Sequence, residues 1–297
     1  MDKSESGLMR FFRALGLEAV AWSLRRIHCP VPHDALVLEV GSGGNPYPRA
    51  NVLLDAYEDT RERHWVPLKA DRPIVLGFVE KLPFRDKAFD FVIASHVFEH
   101  SADPAAFLGE LQRVAKAGYI EVPDAFFERL SPYHDHRLEI TVRDGALVIR
   151  KKTSWMPDKE VVELLHHKAM QFVIGLIPKH PFAFHVRYYW DDRIDYKVLN
   201  PEADAAWPVV ESSYQPPPPG LLARIRGGIL ETLRGLLSQT ARNKRIDLLS
   251  LLRCPSCGAD RLSISASDVA CGECRAVYPL RNGIPALFAP EKTRQVK

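Results

Sequence analysis

The chain has 297 residues, 46% hydrophobic and 26% charged, with a formal net charge of +3. That balance describes a globular protein with enough apolar residues for one large core and a smaller unit, and so small a positive surplus does not by itself argue for nucleic acid or an anionic membrane. No run of 18 or more apolar residues occurs and MDKSESGLMRFFRALG contains no apolar signal core, so no transmembrane helix is expected and a cytoplasmic location is.

From Gly7 to Ile27 the positions Leu8, Phe11, Phe12, Leu15, Val20, Leu24 and Ile27 describe one helical stripe, weakened at Gly16. Its expected role is to cover a sheet edge; a membrane-surface anchor is the alternative. Cys29 stands alone and reads as a small packed residue. Leu36–Val40 and Val52–Leu54 then read as short buried strands, suited to a parallel sheet, on either side of a glycine turn. Gly41, Gly43 and Gly44 would let backbone approach a ligand, with Glu39 just before them. Asp55, closing the second strand, can accept hydrogen bonds from a ribose diol. The pattern predicts a nucleoside-containing cofactor; a tight turn between two core strands is the plain alternative. The connection from Gly41 to Asn51 is short and contains Pro46 and Pro48, so the usual crossover helix should be reduced or missing.

A third strand is expected at Ile74–Phe78 and a fourth at Phe89–Ser95, ending beside His96. A helix from Asp103 to Lys116, with Asp103 as N-cap and Pro104 at its first position, should end at Gly118 before a fifth strand, Tyr119–Val122. Asp144-Gly145 between two alternating runs in residues 131–152 signals an inserted hairpin. Val161–Ile177 is a plausible helix, and AFHVRYYW and RIDYKVL flank Asp191-Asp192 as a second antiparallel pair.

The ordered pieces LPF, FDFVIASHVFEH, ELQRVAKAG and YIEVP, between Glu80 and Pro123, resemble the class I S-adenosylmethionine-dependent methyltransferases, and most of all the group that includes quinone-biosynthesis methyltransferases. A dehydrogenase would want G-x-G-x-x-G and an acidic residue about 20 positions on; here Asp55 follows Gly41 by 14. The resemblance implies a Rossmann-like, mostly parallel α/β sheet whose last strand is antiparallel. It also implies S-adenosylmethionine held by Glu39, Gly41, Gly43, Gly44, Asp55 and Ser95. Relatives often carry an acid near the third strand that contacts adenine. Phe78 stands there instead, which leaves adenine to stacking, to the backbone near Val79 or to Glu80. His96 is the candidate base for an oxygen acceptor. His100, in the Glu99-His100 pair common in the family, reads as a packed or capping residue. Tyr133, His134 and His136, in the insert, are candidate acceptor contacts, although His-Asp-His alone is too short to argue for a metal. No Asn-Pro-Pro-Tyr-like signature of amide or adenine methylation follows the fourth strand, which leans toward O-methylation or another small-molecule reaction.

From Asn200 the texture changes. A proline-rich stretch through Pro219 reads as an extended linker. Leu221–Gln239 follows as an amphipathic helix with Leu222, Ile225, Ile229, Leu233 and Leu236 on one side. Arg224, Arg226, Arg234, Arg242, Lys244 and Arg245 make the region basic, either as a solvated face or as a contact for anionic lipid or RNA. Cys254, Cys257, Cys271 and Cys274 form two C-x-x-C pairs, a pattern that fits one structural zinc and a reducing compartment. A tail this short would draw much of its stability from metal. LLSLLRCPSCG, the second cysteine pair and YPLRNGIPALF resemble the small zinc-ribbon proteins that activate tRNA, rRNA and release-factor methyltransferases. The expected units are therefore 1–205, 206–245 and 246–290. Three functions remain in view: methylation of an unidentified small molecule or glycan, methylation of tRNA, rRNA or a translation protein engaged through the basic helix and ribbon, and a non-catalytic module with a degenerate cofactor site.

Overall fold

The computed structural model describes residues 4–58, 66–208, 220, 228, 232 and 235–289, apart from the side chains of 166, 169, 170, 173 and 174. Most of the helix expected over 221–239, including Leu222, Ile225, Ile229 and Leu233, lies outside the described residues, as does the proline run.

Short apolar segments build the central sheet. β1 (Val37–Val40), β2 (Val52–Asp55) and β3 (Ile74–Leu76) are buried at every position, because both faces of a parallel sheet are covered. β4 (Phe89–Ser95) and β5 (Ala115–Pro123) extend it on the other side of β1, all parallel. Between them α1 (Gly7–Ala14), α2 (Glu18–Leu24) and α3 (Pro104–Val114) supply covering helices. The Asp103 side chain caps α3, and Phe107, Leu108, Leu111 and Val114 bury its inner stripe. α3 ends at Val114, not at Gly118. Gly118 instead sits within β5, where a Cβ would approach the Trp190 ring to 2.7 Å.

After α4 (Ala125–Leu130), β6 (Leu138–Arg143) and β7 (Ala146–Lys151) form the expected hairpin, with Asp144 and Gly145 both at positive φ in the turn. α5 (Lys159–Leu176) and α6 (Pro181–Phe184) lead to β8 (His185–Asp191), which joins β5 antiparallel and gives the order β3-β2-β1-β4-β5-β8. The expected antiparallel partner of β8 does not form. β9 (Tyr196–Val198) leaves the central sheet and pairs parallel with β7, so the insert becomes a three-stranded sheet of its own.

One further expectation changes. The N-terminal stripe is not one helix, since Gly16 at φ 73 breaks it into α1 and α2. Met9 and Ala21 are its buried positions, whereas Leu8, Phe11, Leu15, Val20 and Ile27 are exposed. Between β1 and β2 no helix forms, as the prolines imply. Cys29 is half-buried against the smaller of the two cores.

The C-terminal segment is docked on the central sheet. Asn51, leading into β2, donates to Gln239 (2.9 Å) and to Asn243 (2.8 Å) of α7 (Thr240–Asn243), and Arg242 donates to the Ala35 carbonyl (2.9 Å). After α8 (Leu248–Leu251) a meander of β10 (Leu262–Ile264), β11 (Asp268–Cys271), β12 (Val277–Arg281) and β13 (Ile284–Pro285) forms a four-stranded sheet. Arg85 N donates to Leu251 O (2.9 Å) and Arg253 N to Pro83 O (3.0 Å), while Leu287 N donates to Leu76 O (2.8 Å) along the outer edge of β3. Among the described residues no helix is long and apolar enough to cross a membrane.

Candidate cofactor and acceptor site

The carboxyl ends of β1, β2 and β4 open onto a cavity of about 520 Å³, within the range of small-molecule sites. Ligands bind at this edge in open α/β sheets, because the strand order reverses there and leaves a crevice. Gly41 holds φ 64, and a Cβ on it would stand 2.7 Å from the Val97 side chain; one on Gly44 would stand 2.7 Å from the Pro67 carbonyl. Both positions therefore need glycine. Asp55 is buried at the floor, its Oδ2 accepting from Gly43 N (2.9 Å) and its Oδ1 from Tyr57 N (3.1 Å). The carboxylate thus sets the shape of the glycine turn. The buried Ser42 hydroxyl lines the same cavity without a hydrogen-bond partner.

Glu39 is buried on β1 and accepts from Tyr47 N at 2.7 Å. Burial pushes its carboxyl up to about 7; Asp55 adds to the rise, while Arg26, the Tyr47 amide and Arg72 oppose it. On the opposite wall Phe78 is 45% exposed, its ring 6.3 Å from Tyr57 and 5.0 Å from Phe288. Val79 is buried beside it, and Glu80 accepts a 2.5 Å hydrogen bond from Ser101. The Phe78 and Tyr57 rings at this end suit a flat aromatic ring held by stacking, with the Glu80 carboxylate engaged by Ser101.

At the end of β4, Ser95 donates to Glu121 (3.1 Å) and His96 adopts φ 55. The His96 ring lies between two carboxylates, Nε2 3.3 Å from Glu121 and Nδ1 3.5 Å from Glu99. Burial lowers its basicity, but the two flanking carboxylates, Glu121 and Glu99, prevail and push it up to about 10. The two carboxylates thus favour the protonated ring, whose side chain is 42% exposed toward the cavity. Glu121 is completely buried and binds Arg25 through Nε (2.7 Å) and Nη2 (3.0 Å); against the effect of burial, His96 and Arg25 hold it well below the usual carboxylate range. Sequence reasoning missed this Arg25–Glu121–His96 chain. Its one available signal was a carboxylate inside the apolar strand YIEVP.

The insert reaches the cavity through Asp135 and Arg137. Of the three expected acceptor contacts, none is among the lining residues: His136 is buried against Glu128 (2.8 Å), the exposed Tyr133 ring stacks on it at 4.7 Å, and His134 is half-buried. His100, expected only to pack, does line the cavity.

In the C-terminal meander the four cysteine sulfurs lie within 4.8 Å of one another, with Cys254–Cys274 and Cys257–Cys271 both at 3.7 Å. A tetrahedron of sulfurs about 2.3 Å from a central zinc has edges of about 3.8 Å. The donor set fits that ion.

Residues 38–120 match the family described as a methyltransferase domain. Two proteins named as uncharacterized methyltransferases, from two strains of Mycobacterium leprae, are each 31% identical over 146 residues, covering 44% of this chain and 53% of their own. The chain thus spans about half the length of the curated relatives it matches. Among solved structures, a chain of the Haloferax volcanii complex between the Trm112 methyltransferase activator and a protein described as a methyltransferase is similar over 47% of this chain and 76% of its own, at 20% identity and a TM-score of 0.33. An S-adenosylmethionine-dependent methyltransferase from Mesorhizobium loti is similar over 45% and 64%, at 15% identity and a TM-score of 0.29. The chain carries a methyltransferase domain on a Rossmann-like sheet.

Proposed function

We propose that the protein is an S-adenosylmethionine-dependent methyltransferase whose acceptor is an oxygen of a small molecule or glycan. The observation that carries the cofactor reading is the cradle at the end of β1: glycines where a Cβ would clash, the buried Asp55 that shapes their turn, and an unpartnered buried Ser42 hydroxyl. Asp55 would hold the ribose, Phe78 and Tyr57 the adenine, and Glu39 the cationic methionine end. When bound, the cofactor supplies an electrophilic methyl group on a sulfonium. The chain's own contribution is then alignment of the acceptor with that group, which can lower the barrier substantially without covalent chemistry. His96, held between Glu99 and Glu121, is rigidly placed at the rim of the same cavity.

The C-terminal segment is, in the same proposal, a built-in ribbon holding one structural zinc on Cys254, Cys257, Cys271 and Cys274, similar in kind to the activator proteins. Supporting this are the sulfur spacing and its attachment to β3 rather than to a separate surface. Calorimetry tests the cofactor half: micromolar binding of S-adenosylmethionine is expected, and none at high micromolar cofactor would defeat the proposal. Turnover with a small-metabolite extract compared with total cellular RNA tests the acceptor; turnover with RNA alone would overturn the small-molecule reading.

A further inference from the structure

Beside the cofactor cavity the fold brings Glu99, His100 and His136 together, with one ligand-capable atom of each within 4.8 Å of the others. The meeting depends on the insert. Arg137 N donates to Glu99 O at 2.7 Å, which pins the entry of β6 against the short 3-10 turn Phe98–His100. Glu99 is 2% exposed, yet neither of its carboxylate oxygens has a hydrogen-bond partner, although His96 Nδ1 stands 3.5 Å from Oε1. Nδ1 of His100 and Oδ1 of Asp135 are likewise buried and unpartnered. Of the seven such side-chain atoms among the described residues, four fall in this one place. His96 faces Glu99 from the Oε1 side only, and Glu99 Oε2, His100 Nδ1 and Asp135 Oδ1 stay buried with no hydrogen-bond partner, so the grouping points to a further cation on the far side of the carboxylate.

His136 is set up as a ligand. Its Nδ1 is 2.8 Å from Glu128 Oε2, and Glu128 is itself held by Lys152 Nζ (2.6 Å) and Tyr133 N (3.1 Å). A proton on Nδ1, donated to Glu128, leaves the Nε2 lone pair free, which is the carboxylate–histidine arrangement usual behind metal-bound imidazoles. The Arg137 guanidinium does not occupy the place of the cation, because it donates to the carbonyls of Ala205 (2.6 Å) and Trp207 (2.7 Å).

We propose that Glu99, His100 and His136 bind a divalent transition-metal ion, with Asp135 adding negative charge 3.9 Å from His100. Two imidazoles and one carboxylate suit zinc, manganese or iron and leave coordination positions for a further ligand. Because His100 and Asp135 line the cofactor cavity, that ligand can come from the cavity. On the methyltransferase reading, on which this last step rests, it is a hydroxyl oxygen of the acceptor. The hydroxyl proton leaves to solvent on coordination, the oxygen pair forms the bond to the methyl carbon, and the carbon–sulfur pair stays on sulfur. The acceptor class is therefore an alcohol, phenol or enol able to ligate a metal.

The test uses the full-length protein with its ribbon metal in place. Metal content is measured after equilibration with Mn(II), with free Mn(II) followed by electron paramagnetic resonance. Two ions per chain are expected, one in the ribbon and one here. Glu99→Gln and His100→Asn should each remove the second ion or weaken its binding by at least about tenfold while leaving the first. A single ion per chain in the wild type, or a second ion indifferent to both substitutions, overturns the site. Measuring cofactor binding on the same samples separates the two ideas. Cofactor bound without a second ion defeats the metal site alone, and a second ion without cofactor binding defeats the methyltransferase reading alone.

Discussion

Glu39 should make cofactor binding depend on pH around neutrality. Its carboxyl is buried and pushed up to about 7, chiefly by loss of water, with Asp55 adding and Arg26, the Tyr47 amide and Arg72 opposing. Below 7 the group is neutral, and above it anionic. If only the anion attracts the positive end of S-adenosylmethionine, apparent affinity follows the ionised fraction: about one part in eleven at pH 6, about half at pH 7 and about nine-tenths at pH 8. Affinity should therefore rise about tenfold from pH 6 to 8, with about half a proton released per cofactor bound at pH 7. The ligand-free protein has the opposite dependence. A carboxyl with a raised folded pKa contributes stability below its unfolded value of 4.5 and loses it as pH climbs to about 7. The 2.5-unit rise corresponds to roughly 3 kcal/mol. Calorimetry in two buffers of different ionisation enthalpy reads both the affinity and the proton. Glu39→Gln should bind weakly with no such pH dependence. A wild type whose affinity is level from pH 6 to 8, with no proton released, would refute the reasoning.

Asp55→Ala should weaken cofactor binding by about 1.5–3 kcal/mol, or roughly 10- to 150-fold, and should also lower the melting temperature, because the Gly43 and Tyr57 amides lose their acceptor; calorimetry and thermal unfolding read the two effects. Arg25→Ala removes the two-point guanidinium contact from the fully buried Glu121, and urea unfolding should show a loss of about 3–5 kcal/mol; a change below about 1 kcal/mol would mean that the remaining partners or water compensate Glu121. Chelation should open the four-cysteine meander first, so that limited proteolysis cuts within 246–289 while 36–123 resists; simultaneous loss of both would contradict a metal-dependent ribbon.

The central sheet was legible because its strands are continuous apolar runs between turn residues, and β1, β2 and β4 follow those runs closely. Two kinds of feature were not. Gly118 looked like a helix terminator, yet its lack of a side chain serves a different need, close passage of Trp190 across β5. RIDYKVL looked like the partner of β8 from local alternation alone, but β7 offered a competing edge, and a choice between two edges is made by tertiary packing. The site divides in the same way. The residues contiguous with the glycine turn that spacing singles out line one cavity. The Arg25–Glu121–His96 chain joins residues far apart in sequence, as does the approach of His136 to the adjacent Glu99 and His100, and no period or motif spans those separations.

The position of the four-cysteine meander gives it a reach beyond its own fold. β3 is the outer strand of the central sheet, and an outer strand exposes a row of unpaired backbone groups unless something covers it. Here Ala286 and Leu287 run alongside Leu76, so the edge is partly closed by the segment that the cysteine cluster organises. The next residue but one after Leu76 is Phe78, whose ring meets Phe288 at 5.0 Å and forms part of the cofactor cavity. Asn282 adds a 2.6 Å hydrogen bond to Glu58, just beyond the Asp55–Tyr57 turn. Two walls of the cavity proposed to hold the cofactor are thus backed by residues from one short meander with little core of its own. A protein that held its cofactor through the glycine turn alone would have no need of such backing. Under the proposed reading, in which adenine stacks on Phe78, that backing has a use, since a stacking wall works only when the ring behind it is fixed.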